Sequence, residues 1–353
     1  MVDILQRWER QGLVLPRHAH GYGSAVMGDP CIVWDEALGG WRMFLFCEPP
    51  GHGQALCLRP DEVGPGHWTF AGPLTFTNPD RLLGGHTHKP YVVMDSQHPN
   101  RAAQIDGRFC LATVSHLGQQ KVVQQAWAAK LAGPWTLEPG PLIPPGAADA
   151  FDGKHVDAVS AYYFADRREI LYFYMGYPSR PQARAGNRYG SAQGCATQRV
   201  GSESIQKLGV VLPPSPEPGH WASGWVGGLQ LLPGQAHRWL AIVNASPAEP
   251  DPAANEVFRE EPPPSLGGFA YTDELWPVAG WQWSPQPIEW IADIPPAAVA
   301  AGEGTNLWRQ HILALPNGGL ALFYNSGYYG LEQIYLKMAN RALILTCRRP
   351  PLQ

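Results

Sequence analysis

Hydrophobic and polar positions alternate along this chain in short runs that come in pairs, each pair split by a turn rich in Asp, Asn, Pro or Gly. Alternation with a period of two, built from β-branched and aromatic residues, marks strands; two such runs around a polar turn make a hairpin. Five pairs stand out: "PCIVWDEALGGWRMFLF", "KPYVVMDSQHPNRAAQIDGRFCLATV", "DAVSAYYFADRREILYFYMGY", "GWVGGLQLLPGQAHRWLAIVN" and "RQHILALPNGGLALFYNSG". A second pattern follows several of them, a Trp, then Gly or Pro, then an apolar end. It reads "HWTFAGPLTF" after the first pair, "GPWTLEPGPLIP" after the second and "GWQWSPQPIEWI" after the fourth. "IQKLGVVLPP", after the third, is a copy without the Trp. Nothing of the kind follows the fifth pair, but "RWERQGLVLPRH", at the start of the chain, carries the pattern from Trp8 to Leu15.

That displacement predicts a closed ring. A last sheet completed by a strand from the opposite terminus loses its exposed edge and locks the circle. The expected fold is therefore all-β, a five-bladed β-propeller with its last blade closed by an N-terminal strand. Residues 1–353 form one catalytic domain in this reading. At about 70 residues per unit the repeat is long for a propeller, and loops account for the excess. The longest, Ala245 to Gly268, is Pro-rich and falls inside the fourth blade; "SRPQARAGNRYGSAQG" falls in the third. Both are expected to serve as rims or lids.

Composition agrees with a strand-and-turn protein. The 39 Gly and 36 Pro suit turns and break helices. Charged residues make up 16% with a formal net charge of −4, which leaves no basic surface for nucleic acid or an anionic membrane. The N-terminal stretch has no basic segment followed by an apolar one, and no run is apolar enough to span a bilayer. A cytoplasmic location is the expectation, with free, mostly buried thiols at the six scattered Cys. Neither a nucleotide-binding glycine loop nor a GxSxG elbow occurs.

Several of these segments resemble the five-bladed glycoside hydrolases of the arabinanase and β-xylosidase type, family 43 and its invertase-like, neoagarobiose hydrolase-like and mannoside phosphorylase-like relatives. "GDPCIVWDEALGGWRMFLF" is similar to their first-blade motif, in which an Asp-Pro opens the innermost strand. "THKPYVVM" resembles the second-blade Trp-Ala-Pro stretch, with Pro90 kept. "QQAWAAKLAGPWTLEPGPLI" is similar to their outer strand, "KHVDAVSAYYF" to the third-blade Ile-Asp-Pro and "RQHILALPNGGLALFYN" to the fifth-blade Gly-His-Asn. The resemblance implies a glycoside hydrolase acting on a small oligosaccharide or glycoside in the axial pocket, exo-acting and inverting. It also leaves open a mannoside-type phosphorylase, or a sugar-binding propeller without hydrolysis. The partner expected is a small carbohydrate; the sequence does not set the oligomeric state.

A propeller gathers the first residues of its innermost strands at one mouth, so side chains remote in sequence meet there. Asp29 stands at such a position, held extended by Pro30; a turn Asp capping a backbone N–H is the alternative. By resemblance Asp29 is the general base and Asp157, opening the third blade, tunes and orients the proton donor. Inversion needs an acid opposite the base. The family's acid is a Glu at the start of the fourth blade, and "HWASGWVGGLQLL" has none. His155 and Glu332 are the first substitutes, Glu48 and Glu203 the next. His88, Lys89, Trp225, Trp308, Arg309 and His311 are the candidate substrate contacts, with Tyr328 and Tyr329 as further aromatic platforms. A phosphorylase would need cations, and Lys89, Arg309 and Lys154 are the candidates. His86 and His88 share one strand face, but two imidazoles fall short of a zinc site, so no metal is predicted there. No cofactor is required; a calcium ion in the axial channel, near His311, is the exception the resemblance admits.

Overall fold

The structure, a computed structural model, describes residues 8–19, 21, 26–98, 100–179, 190–233, 239–248, 265–276, 278, 280–304, 307–327 and 331–340. Strand β1 (Glu9–Leu15) opens the described chain. Blade one is β2 (Val26–Asp35), β3 (Gly40–Glu48), β4 (Gly53–Cys57) and β5 (Thr69–Gly72). Blade two is β6 (Thr87–Val92), β8 (Phe109–Leu117), β9 (Gln120–Ala128) and β10 (Thr136–Leu137). Blade three is β11 (His155–Phe164), β12 (Glu169–Tyr177), β13 (Ala192–Arg199) and β14 (Gln206–Leu212), with β7 (Met94–Asp95) added in parallel to β11. Blade four is β15 (Trp225–Pro233), β16 (Trp239–Ser246), β17 (Leu266–Thr272) and β18 (Gln282–Pro287). Blade five is β19 (Trp308–Ala314), β20 (Gly319–Ser326) and β21 (Gln333–Asn340), and β1 completes it by pairing antiparallel with β21 from Glu9–Met338 to Leu15–Ile334. The five innermost strands touch in a closed cycle, β2 to β6, β11, β15, β19 and back to β2.

The recurring Trp fastens each blade to the one before it. Trp135, leading into β10, is fully buried and meets Phe44 of blade one edge-on, with ring centroids 6.0 Å apart. Its backbone is clamped too, Trp135 N donating to Thr75 O and Thr77 N to Trp135 O, each 2.8 Å. Trp68, before β5, meets Phe323 of blade five at 5.6 Å. Trp283 of β18 donates Nε1 to Pro213 O, 3.3 Å away, just beyond blade three. Trp8 packs into a cluster that holds Leu232 and Ile242 of blade four. In blade three, where the motif lacks its Trp, Ile205 packs against the apolar seam shared with blade two.

Strand β7 and the segment after it were not foreseen. The stretch read as a long hairpin turn crosses to blade three and then returns under the axis. There Asn100, 2% exposed, donates Nδ2 to Ile312 O at 2.9 Å and accepts from Ala314 N at 3.0 Å, while its own carbonyl takes Trp34 N–H at 2.7 Å. The long fourth-blade loop does lie between β16 and β17, but most of it and of the third-blade loop falls outside the described residues. Among the described residues no helix is long and apolar enough to cross a membrane. Five of the six Cys (Cys31, Cys47, Cys57, Cys110 and Cys195) are buried and free, and Cys347 lies outside the described residues. Burial pushes the Cys31, Cys47 and Cys110 thiols up to about 12, which keeps them protonated and inert.

Candidate functional site

Each innermost strand carries one extra residue at the same level. The register with its neighbour slips between Gly28 and Cys31, His88 and Tyr91, Asp157 and Ser160, Val226 and Leu229, and Trp308 and His311. A bulge bends its strand and re-aims a side chain, and five of them at one level aim side chains at a common mouth. The first bulged residue is Asp29, Lys89, Ala158 or Arg309 in four blades, with φ of 52°, 54°, 46° and 31°. The expectation that Pro30 holds Asp29 extended is thus corrected: proline disfavours the right-handed helical region for its predecessor, and the bulge takes the left-handed one instead. Gly28 makes room for this turn, since a Cβ there would lie 2.6 Å from Asn325 Nδ2. Asn325 Oδ1 in turn accepts the Asp29 N–H at 3.3 Å.

At this mouth lies a cavity of about 470 Å³ to which all five blades contribute. Blade one supplies Val26, Asp29, Phe46 and Glu48; blade two His88, Lys89, His116 and Lys121, with His86 just ahead of β6. Blade three gives Asp157, Met175 and Tyr177, blade four Trp225, and blade five Trp308, Asn325 and Glu332.

Its electrostatic centre is Asp157, only 1% exposed. Lys121 Nζ sits 2.7 Å from Oδ2, Lys89 Nζ 2.9 Å from Oδ1, and the Ala158 N–H donates to Oδ1 at 2.7 Å. Burial works to raise this carboxyl, but Lys121 and Lys89 outweigh it and hold it well below the ordinary carboxylate range. Lys89 Nζ also stands 3.9 Å from Asp29 Oδ2, so one ammonium reaches both acids. Burial works against its charge, and Asp157 and then Asp29 more than restore it, raising Lys89 above the usual lysine value.

This depression has a testable sign. A carboxyl whose folded pKa lies below its unfolded value, about 3.9, stabilises the fold at pH above that value and stops doing so as pH falls through the folded pKa. Asp157→Asn is expected to lower stability at pH 7 and to flatten its decline below about pH 4. Urea midpoints measured across that range check this, and parallel acid limbs for the two proteins would refute it.

Of the other expected residues, Glu332 is buried at 6% exposure and lines the cavity. Trp225 and Trp308 stack on each other, centroids 5.4 Å apart and planes 20° apart, so Trp308 covers one face of the deeper Trp225. His88 is 5% exposed and burial holds it well below the usual histidine value.

Five expected residues lie off the cavity wall. Arg309 is 5% exposed and runs across the axis, Nη2 donating to Val159 O and the guanidinium lying 5.1 Å from the Tyr91 ring. Gly228 allows that crossing, because a Cβ there would lie 3.3 Å from Arg309 Cγ. His311 is fully buried further along β19, its Nε2 against Ile32 N (3.3 Å), Ile32 O (3.1 Å) and Asn100 Nδ2 (3.1 Å). Burial first of all pushes it down to about 3, so it is a neutral tie between blades five and one. His155 Nδ1 accepts the Lys121 N–H at 3.2 Å, and burial followed by Lys154 and Lys121 lowers its pKa. Glu203 and Lys154 are exposed and away from the cavity, and Tyr328 and Tyr329 fall outside the described residues.

Sequence reasoning missed Lys121, His116 and Asn325. Lys121 pairs across the β8–β9 hairpin with His116, a register that the alternation of "VSHLGQQKVV" permits but does not fix.

No family model and no curated protein matches the sequence. Solved structures do. One described as a glycoside hydrolase superposes with a TM-score of 0.68 at 12% identity, covering 99% of this chain and 95% of its own. The catalytic domain of a family-62 α-L-arabinofuranosidase from Coprinopsis cinerea gives 0.62 at 11%, covering 95% and 98%. A thermostable family-43 glycoside hydrolase gives 0.58 at 13%, covering 89% and 90%. This chain, then, has the five-bladed propeller fold of the family-43 and family-62 glycoside hydrolases.

Proposed function

We propose that the chain is a glycoside hydrolase, acting as one catalytic domain and taking a small oligosaccharide or glycoside into the axial cavity. The observation that carries this reading is the pair of buried acids, Asp29 and Asp157, joined by Lys89 at the floor of a five-walled pocket. Their surroundings divide the roles. Asp157 has both oxygens engaged by lysines and a backbone N–H, which suits a fixed charge that orients its neighbours rather than a proton acceptor. Among the described residues the Asp29 carboxylate has only a longer contact to Lys89, which suits a general base on water. Cleavage with inversion then requires a second group to protonate the leaving oxygen from the opposite side. Among the described residues blade four brings only Trp225 to the pocket. Glu332, a carboxyl on the wall, fits the donor's role better than His155, whose Nδ1 already accepts a hydrogen bond and which stands off the wall. The stacked Trp225–Trp308 pair offers an apolar face to a sugar ring.

The mannoside-type phosphorylase reading has one observation in its favour, the lysines Lys89 and Lys121 on the cavity wall. Both are held by Asp157, however, and Arg309 and Lys154 do not reach the cavity. A screen of aryl arabinofuranosides, xylosides, galactosides and mannosides, with and without phosphate, separates the readings. Hydrolysis indifferent to phosphate, with inversion seen by NMR, is the expected result. Turnover that requires phosphate would favour the phosphorylase, and sugar binding without any turnover would overturn both. Glu332→Gln is expected to slow release of poor leaving groups by about 10²–10⁴-fold while sparing activated dinitrophenyl glycosides. Equal losses on both would remove Glu332 as the acid.

A further inference from the structure

Three imidazoles meet on one side of the cavity. His86, just ahead of β6, and His88, within it, lie two residues apart and project from the same face. Thr87 pairs with Ser115 in the antiparallel β6–β8 ladder, which sets His116 across from His86 and diagonal to His88. The ring centroids are 5.5 Å (His86–His88), 5.8 Å (His86–His116) and 5.5 Å (His88–His116) apart, and one nitrogen of each ring lies within 4.8 Å of one of each other ring. Among the described residues no other group of three His, Cys, Asp or Glu side chains comes so close.

Packing alone does not account for this cluster. Nε2 of His86 and Nε2 of His88 are both buried without a hydrogen-bond partner among the described residues, and His88 as a residue is 5% exposed. A buried polar nitrogen left unpaired is costly, and a transition-metal ion satisfies several imidazoles together. We propose that His86, His88 and His116 bind one divalent transition-metal ion of the zinc class, its remaining coordination position open to the cavity that all three line.

Three neutral nitrogen donors with an open fourth position match the ligand number of catalytic zinc sites, whereas calcium and magnesium take oxygen ligands. Tetrahedral bonds of about 2.0–2.1 Å set ligand nitrogens about 3.4 Å apart, so the three rings, with nitrogens within 4.8 Å of one another, must close in on the ion. The nearby lysines do not veto a cation, because Lys121 and Lys89 stand against the two carboxylates Asp157 and Asp29. Glu48, which also lines the cavity from blade one, lies close enough for its charge to act on His116. Binding of the ion does not depend on the cavity's taking a sugar.

The test uses untagged full-length protein, stripped with a chelator and dialysed. Titration with Zn²⁺ by calorimetry is expected to give one equivalent, and Co²⁺ is expected to give the intense visible absorption of a four-coordinate nitrogen site. His88→Ala and the milder His116→Gln should each weaken Zn²⁺ binding by more than about 100-fold, beyond what loss of an outer-shell partner produces. His155→Ala, outside the cluster, should leave it unchanged. Circular dichroism and melting curves identify any variant that does not fold, and the other variant then decides. Absence of stoichiometric binding, or binding of equal strength in a folded cluster variant, overturns the proposal.

Discussion

Asp29→Asn is expected to reduce turnover of any glycoside the protein cleaves by about 10²–10⁴-fold, the contribution of a positioned general base. The change is nearly isosteric and leaves the backbone turn, the Asn325 contact to the Asp29 N–H and the Lys89–Asp157 ion pair in place. KM should therefore shift little, and the loss should fall on kcat, as for an interaction made in the transition state. The two measurements that decide are steady-state kinetics on the best aryl glycoside and a melting curve. A variant that keeps its fold and more than about a tenth of its rate would show that Asp29 is not the base, since base catalysis contributes at least about 10²-fold.

Trp135→Ala should cost about 3–5 kcal/mol of stability, the range for deleting a large buried aromatic. Trp135 is fully buried between blades one and two, against Phe44, with its backbone bonded on both sides to the segment around Thr75 and Thr77. Truncation leaves a cavity in a rigid seam whose backbone cannot collapse onto it. In a closed ring the damage is not confined to one blade, because every blade is held by two neighbours. Trp135→Phe keeps an aromatic edge toward Phe44 and should cost less. Urea unfolding curves measure both; a loss under about 1 kcal/mol for the Ala variant would mean that the seam does not depend on this side chain.

How much of this was legible in the sequence can be judged residue by residue. Strand pairing along each hairpin follows from alternation, which is local, and the Trp motif betrays the outer strands because each must present an aromatic to the preceding blade. Trp8 in front of β1 was readable for that reason, and with it the closure of blade five. The parallel strand β7 left no such mark: two residues, Met94 and Asp95, carry no period.

The site divides along the same line. Asp29, Lys89, Asp157, Glu332, His88, Trp225 and Trp308 were all expected at the mouth and all line the cavity. Arg309, at the level of Asp29, and His311, further along β19, turn into the axis instead, where Val159 O, Tyr91, Ile32 and Asn100 take up their polar and aromatic surfaces. Position along a strand places a residue at the mouth, but whether its side chain faces solvent or the axis depends on what neighbouring blades offer it.

By itself, then, the sequence determined the number of blades, the strand that closes the ring and the residues that open each blade, because periodicity and turn chemistry act over a few neighbours. Only the tertiary structure decided that Lys121 and Lys89 share Asp157, that His116 joins His86 and His88, and that Arg309 leaves the pocket. Those pairings are set by bulges and by the packing of one blade on the next, contacts between segments too far apart in the chain for any local pattern to record.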